Sequence, residues 1–69
     1  MDINIRKAII ENFKSFTTDE LHQTIEEAIN AKNEKTLPGL GVFFELVWQN
    51  SSSKFKNELL NNLSNELTK

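Results

Sequence analysis

The chain has 69 residues, 38% of them hydrophobic and 26% charged, and carries a formal net charge of −2. That length holds a single domain over 1–69, with no room for a second core. The absence of cysteine excludes disulfides, thiolate catalysis and thiolate metal sites, and a lone histidine, His22, does not make a zinc site. The opening MDINIRKAII lacks the apolar core and cleavage site of a signal peptide, and no stretch reaches the roughly 20 apolar residues of a membrane span. A cytoplasmic setting is therefore expected, with no membrane, metal or cofactor. Net acidity argues against general attraction to nucleic acid, although a local basic patch stays compatible with it.

In chain order, Ile5, Ala8, Ile9 and Phe13 lie at helical spacing, which predicts a helix over Ile3–Phe13. Ile3 and Ile10 widen its stripe, and Asp2 is its candidate N-cap. Thr17 followed three residues later by Glu20 is a capping-box pattern, with Asp19 suited to the positive end of the helix dipole. The second helix then runs from about Thr18 to Ala31, with Leu21, Ile25, Ala28 and Ile29 on a narrow stripe. Gln23, Glu26 and Glu27 face water. The polar stretch from Lys32 to Thr36 ends it.

Leu37 precedes Pro38 and is expected to be extended, while Pro38 itself suits a first helical turn. Gly39 and Gly41 are expected to supply positive φ or a close backbone approach, making LPGLG a sharp entry into the next element. That element, Val42–Gln49, is rich in β-branched and aromatic residues and reads either as a buried strand or as a short helix. A lone strand needs partners for its backbone groups and no second strand is evident, so the helix is the better reading. Being apolar almost all round, it is expected at the centre, with Trp48 in the core. Glu45, its one charge, then requires an ion pair, for which the fork of Arg6 suits better than Lys35. Ser51, Ser52 and Ser53 supply an N-cap for a fourth helix bearing Phe55, Leu59, Leu60, Leu63 and Leu67. The predicted fold class is all-α: a small bundle of about four short helices around a central apolar helix.

Nothing in this pattern carries catalysis. There is no nucleophile elbow, and the adjacent Glu26 and Glu27 diverge around their helix. The glycine spacing of LPGLG does not match a phosphate-binding loop. Trp48, Phe43 and Phe44 could stack on bases, but an apolar segment reads first as packing. Lys54 and Lys56 sit in the first turn of the fourth helix, where the dipole disfavours cations. A phosphate held by Ser51, Ser52, Ser53, Lys54 and Lys56 would resolve that conflict, against the plainer reading of exposed lysines.

The run Leu37, Pro38, Gly39, Leu40, Gly41, Val42, then Phe44, Glu45 and Trp48, resembles the signature of the small acid-soluble spore protein I family. The segments MDINIRKAII and LHQTIEEAI resemble it too, in order and spacing, so the likeness covers nearly the whole chain. Phe43 stands where the resemblance implies an aliphatic residue, and Phe13 and Phe16 are bulkier than it implies. The resemblance implies a minor protein of the forespore and spore core, made during sporulation, with no established activity. It does not imply the DNA coating of the abundant α/β-type acid-soluble spore proteins, whose glycine-rich DNA-binding segments have no counterpart here.

Two readings of function follow. The first is a non-enzymatic spore-core component acting by self-association or by binding an unknown spore protein. A homodimer through Ile3, Ile10, Phe43 and Phe44, with Phe43 near its centre, would cover apolar surface that three short helices leave open. The alternative is weak DNA binding through the Ser51–Ser53, Lys54 and Lys56 patch.

Overall fold

The first helix, α1 (Ile3–Phe13), carries Ile9 and Phe13 half-buried on its inner side. The computed structural model describes residues 3–69, with Ile3 as backbone only, so the proposed capping by Asp2 and the contribution of the Ile3 side chain lie outside the described residues. Past its end, Phe13 meets Phe16 edge to face at 4.9 Å and Phe43 at 5.2 Å. The three residues that depart from the spore-protein resemblance thus form one aromatic cluster.

The capping box opens α2 (Thr18–Asn30) as the sequence predicts. The Thr17 hydroxyl accepts from the Glu20 backbone N–H at 3.1 Å, and the Glu20 carboxylate accepts from the Thr17 N–H at 3.0 Å. Those bonds hold the Glu20 carboxyl below its ordinary pKa. At the far end the chain turns through Lys32, whose φ of 52° is left-handed. Such a residue after a helix lets the chain reverse, and glycine usually fills it because a Cβ carries a steric cost there. A turn of 3-10 helix (Glu34–Thr36) follows, opened by the Asn33 side chain accepting from Lys35 N–H at 2.9 Å. The Thr36 hydroxyl reaches Asn33 O at 2.8 Å and Ala28 O at 3.2 Å, which ties this turn to α2.

No strand occurs among the described residues, and α3 spans Leu37–Gln49, starting five residues before the predicted Val42. Leu37 is helical (φ −60°, ψ −42°) and not extended, because its N–H bonds back to Glu34 O and the 3-10 turn runs directly into α3. That continuity outweighs the bias imposed by Pro38, which falls in the first turn where a missing N–H costs nothing. The glycine expectation is also corrected. Neither Gly39 nor Gly41 has positive φ, and a Cβ built on either meets nothing within 4 Å. LPGLG is the helix itself, not a hinge leading into one. Finally, Ser52 caps α4 (Ser53–Leu67), its hydroxyl accepting from Phe55 N–H at 3.1 Å.

Packing is thin. Val42, 1% exposed, is the one buried hydrophobic residue among those described. Around α3 the cover is partial: Leu37 (60%), Phe44 (48%) and Val47 (50%) stay exposed, so this helix is not enclosed on several faces as expected. Trp48 is half-buried where a core position was predicted, because only α4 approaches that side. The stripe on α4 is likewise open at Phe55, Leu60, Leu63 and Leu67. In total the chain exposes 5845 Å², about 1,400 Å² more than the roughly 4,450 Å² expected of a compact monomer of 8.0 kDa. The radius of gyration, 13.3 Å, likewise exceeds the ~11 Å expected of 69 compact residues.

Candidate functional site

The site with most to offer is α3 and what flanks it. Its inner side holds Val42, and the helix is fixed to α1 by the predicted ion pair: Arg6 Nε donates to Glu45 Oε2 at 2.8 Å. Both side chains are about one-third exposed (38% and 34%), so the pair sits at the margin of the core. The hydrogen bond from Arg6 holds the Glu45 carboxyl below its ordinary pKa, against a smaller opposing effect of burial. The same bond raises that of Arg6. The only charge in the α3 sequence is thereby satisfied within its own chain.

Several clefts border α3: Leu37 and Leu40 line one with Ala28, Lys32 and Glu34, and Gly39, Leu40 and Phe43 line another with Ile5 and Thr24. Two more bear on self-association. In one of about 290 Å³, Ile10, Phe13, Phe43, Leu46 and Val47 lie together with Leu21 and Ile25 of α2. In the other, about 340 Å³, Phe44 and Trp48 face Leu60 and Leu63 of α4. The Phe44 and Trp48 rings stack 5.9 Å apart at 24°. The proposed self-association residues are thus divided. Ile10 and Phe43 share the first cleft, where Phe43 packs on Phe13, while Phe44 turns to the second. The outward position belongs to Phe44 and not to Phe43.

Of the candidate phosphate contacts, Ser52 spends its hydroxyl on the α4 cap, and the Ser51 hydroxyl donates to Val47 O. The Lys56 ammonium lies 5.3 Å from the centre of the Trp48 ring, a cation–π contact. Ser53 and Lys54 are exposed in the first turn of α4. Ser51, Ser52 and Lys56 are thus engaged within the chain, while Ser53 and Lys54 face solvent. Among the described residues no three His, Asp or Glu side chains converge as metal ligands, and no helix is long and apolar enough to cross a membrane.

What sequence reasoning missed is the apolar face of α3 on which Leu37, Leu40, Phe44 and Val47 follow one another at intervals of three, four and three residues, Leu40 half-buried and the other three exposed. The signal was present. Starting the helix at Val42 cut off its first two members, although Pro38 already read as a permitted first-turn residue; carrying the helix back to Pro38 would have restored them.

Comparison with known proteins bears on the chain as a whole. It is 48% identical over 67 residues to "Small, acid-soluble spore protein I" of Bacillus velezensis, covering 97% of this chain and 94% of that protein. The protein of the same name from Bacillus subtilis is 46% identical over the same coverage, and that from Bacillus cereus (strain AH187) is 44% identical over the full length of both chains. No solved structure matches. Residues 3–67 match the family described as "Small, acid-soluble spore protein I". On a match of that extent, this chain belongs to the small acid-soluble spore protein I family.

Proposed function

We propose that the chain is a non-enzymatic spore-core component, made during sporulation, that acts by self-association. Its family membership and the names of its relatives support the spore setting. The observation that carries self-association is the surface: about 1,400 Å² more than a compact monomer of this mass exposes. A standard interface hides about 800 Å² per partner, so the excess is ample for one. Domains this small also depend on a staple, a metal or a partner, and with no cysteine in the chain no disulfide can serve. In a homodimer α3 becomes the central helix, with α1 on its inner side and a second copy outside.

Sedimentation of the native chain at micromolar concentrations tests this, alongside a titration with duplex DNA at low and moderate salt. The expected result is twice the 8.0 kDa chain mass, with no DNA retained at either salt concentration. A mass that stays at 8.0 kDa overturns self-association. DNA retention that falls steeply with salt would assign the chain a phosphate-binding role instead.

A further inference from the structure

Resting on the self-association reading, we propose that two copies meet through the outer face of α3. The seam of Leu37, Leu40, Phe44 and Val47 packs against the same seam of the partner about a two-fold axis. Three features of the molecule converge on this face.

The first is spacing. The four residues fall on the a and d positions of two successive heptads, the pattern by which one helix seats its side chains between those of another. Val42 falls half-way round the helix from them, so the seam points directly away from the buried side. The second is charge. Beside the seam lie Gly41 and Trp48 on one flank and Phe43 and Asn50 on the other, none of them charged. Glu45 is turned to α1 and held by Arg6. The seam itself carries no charge for a second copy to bury, and the charged groups near it, Lys56 over Trp48 and Lys32 and Glu34 beside Leu37 and Leu40, lie at its rim. The third is area. A standard interface hides about 800 Å² per partner, less than the excess of about 1,400 Å² that the whole chain exposes, and Leu37, Phe44 and Val47 are among the residues that carry it. A two-fold interface uses one self-complementary patch on both chains, which the single seam provides.

Charge-reversal pairs in the full chain test the seam. Phe44→Glu should sediment as a monomer with native helix content by circular dichroism, its dissociation constant raised at least tenfold. Leu37→Glu should do the same without disturbing the Phe44–Trp48 stack. Leu67→Glu, at the exposed end of α4 and away from the seam, should remain dimeric. Mixing Phe44→Glu with Phe44→Lys in equal amounts should restore the dimer mass, which a simple folding defect would not do. A native dimer unaffected by Phe44→Glu and Leu37→Glu overturns the seam and leaves self-association standing through another face. A native chain that is monomeric overturns both.

Discussion

Replacing Gly39 or Gly41 by alanine should stabilise the fold. Both glycines lie within α3, neither has positive φ, and a methyl group at either position meets no atom within 4 Å. The folded chain therefore gains no clash, while the unfolded chain loses backbone freedom. A glycine in a helix interior costs roughly 0.5–1 kcal/mol relative to alanine. Gly41 is the more interior and should return about 1 kcal/mol; Gly39, in the first turn, about 0.5 kcal/mol. Together they amount to about 1.5 kcal/mol in a domain whose single core rarely supplies more than about 3–5 kcal/mol. For a domain of this size that is a rise of about 6–12 °C in thermal midpoint. Thermal unfolding followed by circular dichroism, at equal concentrations of each variant and the native chain, reads it. Gly39 lies off the proposed seam and is the cleaner of the two. A fall in midpoint for Gly39→Ala would refute the reasoning, because it would mean that a neighbour occupies the space found open.

Other outcomes follow from the same structure. Val42→Ala removes two carbons from the one fully buried hydrophobic side chain among the described residues and should cost about 2 kcal/mol in urea unfolding, close to half of what so small a core supplies. Lys32→Gly relieves the left-handed position after α2 and should raise stability by about 1 kcal/mol; no change would mean that Lys32 makes compensating contacts. The Arg6 bond depresses the Glu45 carboxyl below its ordinary 4.5, so its contribution is complete above that pH and disappears as pH falls through the lower folded value. Unfolding midpoints should therefore drop on acidification, and Glu45→Gln should be less stable at neutral pH with a shallower acid loss. The Glu20 cap shifts in the same direction and adds to the loss.

How much could be read from the residues divides along physical lines. The caps of α2 and α4 were legible: Thr17 with Glu20 and Ser52 before α4 cap their helices as expected, because capping depends only on near neighbours. The Arg6–Glu45 pair was also legible, since a lone charge in an apolar helix demands a partner and few are available. The start of α3 was not. Leu37, Gly39 and Gly41 each have a local preference for non-helical backbone, and the preceding turn of 3-10 helix overrides it by handing Leu37 a hydrogen bond to Glu34. Both Phe43 and Phe44 were expected in the interface, with Phe43 near its centre; the structure half-buries Phe43 against Phe13 and leaves Phe44 exposed. Trp48 was placed in a core because its segment is apolar, yet apolar sequence sets a preference for burial, and one short chain has too few neighbours to satisfy it.

The claim at the centre of this account is that one chain leaves its apolar surface unfinished and a second copy completes it. The thermal midpoint of the native chain as a function of its concentration tests that claim most directly, because only a fold coupled to association depends on concentration. At roughly 0.7 kcal/mol of unfolding enthalpy per residue over two 69-residue chains, a hundredfold increase in concentration should raise the midpoint by about 10 °C. A midpoint that stays constant from about 1 to 100 μM would contradict the account.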